Sequence, residues 1–387
     1  MRAHVLIPMA LALAACGESF DPPSLVTDLR VLAVRAEPPE IAPAGSDAPA
    51  PPRATLTALV ADPQHVEPAR PITVVYLACT PKPGSAEPSI CNLVETYADP
   101  GRLPELLASG ALACEAGGEA PPEPGMGVVG GISFAGMEVC EHVAGCGPAR
   151  VEVEGVPLPL PPPAYELPEG FTLDDLPAGH RERTLGVQVL TVAIAVAASP
   201  DELVAGADPA DFCAFAATVA SNLGALLEAR ERRTVIKRIT VRGPDNDDEH
   251  NINPLVPGLF ADGRPLPADP AAAARFARRT EVGLRPAVPA DGEGRPIPAD
   301  ELYQPYTFRD AEGRAFRAER EAWVWSWFAT AGAMERERTR DPGREQVWTT
   351  PGGDDRPVPR DGRVFLYAVV RDARGGMDWV RREVRVE

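Results

Sequence analysis

The sequence predicts a mainly all-β chain built as two tandem β-sandwiches, the first carrying a Cys-rich loop insertion and one amphipathic helix. Three observations point to this. Apolar and polar residues alternate over short runs, the period that turns one side of a strand toward a core. The 45 prolines disfavour long helices and favour turns, edge strands and stiff linkers. The order of the runs in the first half recurs in the second.

In the first half, Leu29 to Ala36 alternates and is stopped by Pro38, Pro39 and Pro43. Strands follow at Ala54 to Ala61 and Ile72 to Cys79. Residues 80–147 show little periodicity and read as the insertion. Val151 to Glu154 is a short strand candidate, and Pro157 to Pro163 reads as extended chain. Leu185 to Ala197 is the strongest strand run. A helix is expected over 209–231. Asp208 serves as N-cap, Pro209 and Asp211 suit its first turn, and Phe212, Phe215, Val219, Leu223 and Leu226 fall at helical spacing. Arg230, Arg232 and Arg233 then suit its negative end. Thr234 to Val241 returns to strand.

The second half offers strands at Leu255 to Ala261, Glu281 to Val288, Glu321 to Thr330, Arg363 to Val370 and Trp379 to Val386. Asp372 to Gly376 reads as the hairpin turn between the last two. The expected division is a first sandwich over 24–243, an acidic linker over 244–250 and a second sandwich over 251–387.

The formal net charge of −18 makes nucleic acid and anionic membrane surfaces poor partners, and argues for solubility or cationic ligands. The N-terminus carries more information. Arg2 precedes an apolar run from Val5 to Ala15. That run is too short for a bilayer, which takes roughly 20 apolar residues, but suits a secretory signal over residues 1–15. Leu13, Ala14, Ala15 and Cys16 resemble the lipobox of bacterial lipoproteins. That resemblance implies cleavage before Cys16, lipid on its sulfur and a tether over 16–23. Gly17 follows the cysteine where aspartate would imply inner-membrane retention, so the outer membrane is expected.

An exported chain meets oxidising conditions. The six remaining cysteines, Cys79, Cys91, Cys114, Cys140, Cys146 and Cys213, are expected to be disulfide-bonded. Cys140 and Cys146 are close enough to close a small loop, while connectivity is otherwise open among 15 pairings.

Chemistry-bearing patterns are sparse. Gly125, Gly127 and Gly130 fit a dinucleotide fingerprint, but prolines replace the strand that must precede it. Ser133 sits in a truncated nucleophile-elbow pattern with no strand upstream and no partner histidine. His142 lies between Cys140 and Cys146, but oxidised cysteines cannot bind zinc. Asp245, Asp247, Asp248 and Asn251 are the weak candidates for calcium, without the glycine of an EF-hand loop. Trp323, Trp325 and Trp327 share one face of a strand, either as a platform for sugar rings or aromatic partners, or as core. No catalytic set, metal or cofactor is expected.

The lipobox, LRVLAVRAEPP (29–39), NINP (251–254), FATAG (328–332) and RDARGG (371–376) together resemble uncharacterised bacterial surface lipoproteins with tandem immunoglobulin-like or PKD-like domains. The resemblance implies immunoglobulin-like sandwiches outside the cytoplasm and no substrate. The expected role is a non-enzymatic, lipid-anchored protein that binds, adheres or scaffolds, with an envelope protein or a glycan as partner. The rivals are an extracytoplasmic hydrolase with a site in 80–230 and an accessory subunit of an outer-membrane machine.

Overall fold

The computed structural model describes residues 22–43, 52–63, 70–79, 128–129, 132–141, 145–153, 156–160, 162–168, 171–207, 212–291, 293, 295, 297, 305–309, 315–318, 321–340, 344–353 and 356–387. The chain is mostly β, with several sheets, as the alternating runs predict. Among the described residues no helix is long and apolar enough to cross a membrane.

The first half contributes β1 (Arg30–Glu37), β2 (Glu40–Ile41), β3 (Arg53–Ala61), β4 (Ile72–Cys79), β5 (Val128–Val129), β6 (Ile132–Glu141), β7 (Gly145–Pro148), β8 (Arg150–Val153), β9 (Val156–Pro159), β10 (Ala164–Glu166), β11 (Val187–Val196) and β12 (Arg232–Val241). One sheet has the order β1-β3-β10, and a second runs β2-β12-β11-β4-β6-β5 with β7 on β6. Their facing sides meet in one core that includes Val34, Leu56, Tyr76, Tyr165, Val189 and Ile239. Strand β8 pairs with β9 in a separate ribbon.

Strand β11 is buried on both faces, which is why it reads as a continuous apolar run rather than an alternating one. One face joins the sandwich core. The other carries Val192 and Ile194, which lie under α2 (Pro200–Val204) and α3 (Phe212–Ala229). Ser199 and Glu202 form a capping box that starts α2. Val219, Leu223 and Leu227 supply the buried stripe of α3. Its expected N-cap, Asp208, lies outside the described residues. Its expected basic end is not used as such: Arg232 and Arg233 already belong to β12, Arg233 bonds Asp28, and Arg230 bonds Glu202 at 3.0 Å. A further short helix, α1 (Arg181–Leu185), ends at Gly186, whose φ is 74°. A Cβ there would lie 2.0 Å from the Val241 carbonyl oxygen, so only glycine fits.

The second half contributes β13 (Leu259–Ala261), β14 (Arg264–Pro265), β15 (Ala274–Phe276), β16 (Glu281–Pro286), β17 (Tyr306–Arg309), β18 (Ala315–Ala318), β19 (Val324–Ala329), β20 (Ala333–Met334), β21 (Arg338–Thr339), β22 (Gln346–Thr349), β23 (Arg363–Arg371) and β24 (Met377–Val386). Sheets β14-β13-β16-β22-β20 and β15-β24-β23-β19-β21 enclose a second core. Strands β17 and β18 form a separate ribbon.

The two halves share one strand plan. The order β1-β3-β10 corresponds to β13-β16-β22, and β2-β12-β11-β4 to β15-β24-β23-β19. In both, a short strand runs parallel to the last long one: β2 beside β12 and β15 beside β24.

Two expected boundaries change. The Cys-rich segment 80–147 contains β6, which is paired to β4 along its length, and β7. Gly136 sits in β6 at φ 104°, beside a register shift between Tyr76 and Leu77. The bulge and its glycine broke the period that would have revealed the strand. The strand expected at Leu255 begins only at Leu259, because Leu255 points outward and the Val256 N–H is taken by Asp378.

The outer faces of the two sandwiches also meet. Leu32, Ala33 and Leu59 from the first pack with Phe365, Tyr367 and Val369 from the second. Chain entry is tied to the same place: Val26 N donates to Ala329 O and Ala329 N to Ser24 O, each at 2.9 Å.

Candidate functional site

The tryptophan strand does not form an open platform. Trp323, Trp325 and Trp327 are 5%, 1% and 1% exposed. Strand β19 is flanked by β23 and β21, and the opposite sheet covers its tryptophan face. The Trp325 and Trp327 rings stack at 6.3 Å, and Trp327 Nε1 donates to Thr339 Oγ1 at 3.1 Å. The other face is also covered, since Phe328 packs where the sandwiches meet. Three large rings bury much apolar area in that core, and burial outweighs display.

The calcium candidates do not converge either. Asp245 takes two bonds from Arg183, at 2.7 and 2.8 Å, and this partner holds its carboxyl below the usual range. Asp247 is exposed. Asp248 accepts from Thr307 N at 2.6 Å and Thr307 Oγ1 at 3.1 Å. Asn251 lies beside Asp372, and its backbone N–H donates to Glu40 Oε2 at 2.8 Å. Asp245 and Asp248 are committed to different protein partners and Asp247 faces solvent, so no shared oxygen cage forms. The segment 244–250 is therefore partly anchored rather than a freely solvated linker.

The Asp248 and Asn251 bonds belong to a polar junction between the sandwiches, around a cavity of about 540 Å³. Glu40 from β2, Lys237 from β12 and Arg374 from the β23–β24 turn line it. Arg374 donates to Glu40 Oε2 at 3.1 Å and to Glu249 O at 2.6 Å. Asp372 caps its own turn, accepting from Arg374 N at 2.7 Å and Gly376 N at 2.8 Å. Burial raises the Asp372 carboxyl pKa, and those two N–H groups hold it back. Burial pushes the Lys237 amine down to about 8, and the amine donates to Gly375 O. Asn253 completes the latch. Its Nδ2 donates to Ala36 O at 2.8 Å, and its Oδ1 accepts from Met377 N at 2.8 Å. The segments 29–39, 251–254 and 371–376, far apart in sequence, thus meet at one seam. Sequence reading singled out all three but gave no signal that they touch.

A second cavity, of about 440 Å³, opens elsewhere along the contact between the sandwiches. Arg35 of β1 and Trp379, Arg381 and Arg382 of β24 line it, with the Cys140–Cys146 disulfide in its wall. Arg35 lies 5.2 Å over the Trp379 ring and bonds Asp378 at 2.9 Å. Burial lowers the pKa of Arg381 and of Arg382.

The remaining sequence candidates resolve as follows. Cys140 and Cys146 are joined, as their spacing suggests. Glu138 gathers with them, but the bonded sulfurs have no thiolate to offer a metal. Glu138 is instead buried between the sheets, accepting from Ala58 N at 2.6 Å and from the Tyr76 hydroxyl. Burial pushes its carboxyl up to about 7. Ser133 lies within β6, opposite Ala78, and not on a strand-to-helix turn. Cys16, Cys91, Cys114, His142, Gly125, Gly127 and Gly130 lie outside the described residues, as do the side chains of Cys79 and Cys213.

No family model and no curated protein matches this chain. Among solved structures, the native conformation of E. coli alpha-2-macroglobulin is similar over 93% of this chain at 10% identity, with a TM-score of 0.21. The chain spans 17% of the length of that protein.

Proposed function

We propose that this chain is an exported, lipid-anchored envelope protein that binds or scaffolds rather than catalyses, through two tandem immunoglobulin-like sandwiches packed against each other. The observation that carries the reading is the use made of the ionisable groups at the seam. Glu40, Asp248, Asp378 and Arg374 are each bonded to backbone groups or opposite charges. Such commitment fixes geometry, and it leaves none of these four groups as a free acid or base.

The shared strand plan supports the immunoglobulin-like assignment. The orders β1-β3-β10 and β12-β11-β4 match the A-B-E and G-F-C strands of that fold. The lipobox at Cys16 supplies the anchor, and two or more acyl chains hold stably because each buried methylene contributes about 0.8 kcal/mol. Leu25, just beyond the expected tether, bridges Ala329 of the second sandwich, so a single lipid site would hold both. The partner would be an envelope protein or a glycan.

Palmitate labelling of the wild type and of Cys16→Ser tests the anchor, with label and membrane association expected only in the wild type. Crosslinked pull-down from envelope extract, against a charge-scrambled control, tests binding. A wild type without label removes the anchor, and turnover in a peptidase or glycosidase panel removes the non-enzymatic reading.

A further inference from the structure

We propose that Lys237 and Asn251 join through their side chains in an isopeptide bond, with Asp372 as the acid–base group that moves the protons. This goes beyond the binding reading and stands apart from the anchor.

The three residues line the same cavity of about 540 Å³ at the seam. Lys237 comes from β12 of the first sandwich, Asn251 from the segment that opens the second, and Asp372 from the β23–β24 turn. Lys237 and Asn251 are 4% and 3% exposed. Lysine is rare in this chain, which carries it only at Lys82 and Lys237 and uses arginine elsewhere. Arginine stays charged, whereas a buried lysine can give up its proton and act as a nucleophile. Burial draws the Lys237 amine down to about 8, against the pull of Asp372.

The amine donates to Gly375 O, within the turn that Asp372 caps. Gly376 brings that turn against the segment carrying Asn251. A Cβ on Gly376 would lie 2.2 Å from Asp372 Oδ2 and 3.1 Å from Ile252 O. The Asn251 amide lies beside the Asp372 carboxyl, yet neither its Nδ2 nor its Oδ1 makes a hydrogen bond of regular geometry. Asp372 Oδ2 is also buried without one, since both turn N–H groups go to Oδ1. A carboxamide buried in this way is costly, and the reaction removes its NH2 group.

The chemistry balances. Burial disfavours both the ammonium and the carboxylate, so a proton passes from Lys237 Nζ to Asp372 Oδ2 and leaves a neutral amine and a neutral acid. The Nζ lone pair attacks Asn251 Cγ, and the carbonyl π pair moves onto Oδ1. Asp372 gives its proton to Nδ2 and takes a second one from Nζ. The pair on Oδ1 re-forms the carbonyl, the Cγ–Nδ2 bond breaks, and ammonia leaves a secondary amide behind. Packing makes the attack intramolecular, which offsets much of the inertness of an amide. The bond would close a loop around the acidic segment 244–250 and tie the first sandwich to the second.

Tandem mass spectrometry of peptides from the full chain, extracted in detergent and digested with trypsin and an Asp-specific protease, tests this. A branched peptide is expected that joins Lys237 to Asn251, is lighter by one ammonia, and is uncut after Lys237. Separate peptides with a free Lys237 amine and an intact Asn251 overturn the proposal. So does ammonia loss at Asn251 as a succinimide, with Lys237 unlinked. Lys237→Met and Asn251→Ala should each abolish the branched peptide. Asp372→Asn keeps the shape without the acid, and should form the bond about a hundredfold more slowly or not at all. Thermal unfolding shows whether that variant folds. If it does not, Asp372→Glu, with its acid displaced, should link more slowly than the wild type. Linkage at the wild-type rate in the folded variant removes Asp372 from its role. Palmitate label and partner capture are read separately, so failure here leaves the scaffold reading standing.

Discussion

Arg374, in the turn before the last strand, reaches Glu40 of the first sandwich across the seam, at 3.1 Å. Both are buried from water, at 10% and 4% side-chain exposure. Removing Arg374 leaves the buried Glu40 carboxylate with only Arg242, at 3.5 Å, as counterion. Arg374→Met should therefore cost about 2 kcal/mol, the worth of a lost hydrogen bond to a charged group. The exposed pair Arg285–Glu345 is the contrast, and Arg285→Ala should change stability by only about 0.5 kcal/mol. Urea unfolding of the two variants checks both values. Faster proteolysis near residues 244–258 in Arg374→Met would show that the seam has opened.

Glu138 should make stability pH-dependent. Its carboxyl ionises near 7 in the folded chain against an ordinary 4.5. Between those values the folded state keeps a proton that the unfolded state releases. Stability therefore falls as pH rises from about 4.5 to about 7 and levels off above, by an amount on the order of 3 kcal/mol. Glu138→Gln keeps an acceptor for Ala58 N and cannot ionise. Its stability profile, measured by denaturant melts across that window, should be flatter than the wild type's.

Burial of the tryptophan strand predicts a stability effect in place of a binding effect. Trp325→Ala should cost about 3–5 kcal/mol, the usual range for emptying a large aromatic site in a core. Calorimetric unfolding gives the cost. Soluble glycans should not raise the melting temperature of the wild type through these rings, and a glycan shift abolished by Trp325→Phe would contradict their burial.

The Cys140–Cys146 bond closes a short loop, with a sequence separation of 6. Its removal in Cys140→Ser should cost about 2 kcal/mol on the chain-entropy account. Thermal melts of the wild type and this variant test the value, with the other cysteines left oxidised in both.

Calcium should leave the chain unaffected. Asp245 is held by Arg183 and Asp248 by Thr307, so a cation would have to break existing bonds to recruit them. Melting temperature with excess calcium and with chelator should agree, and a clear rise with calcium would show a site in this segment.

What the sequence determined by itself is local. Period-two runs located β3, β4, β12, β23 and β24 to within a residue or two, because alternation records which side of a strand meets a core, and a continuous apolar run located β11. Ile72–Cys79 was read without error, and the turn at Asp372–Gly376 followed from its Asp and Gly residues. Spacing also suggested the Cys140–Cys146 loop. Strand β6 was missed because Gly136 and a bulge interrupt its alternation.

Only the tertiary structure decided what these elements face. A tryptophan triplet has the same pattern on an open sheet as in a core, and the covering sheet, remote in sequence, chose the core. An acidic run looks the same whether solvated or paired, and Arg183 and Thr307, each about sixty residues away, paired it. The meeting of Arg374 with Glu40, and the gathering of Lys237 and Asn251 with Asp372, are long-range consequences of how two sandwiches dock. Periodicity specifies a face, but the partner of that face is set by packing across the whole chain.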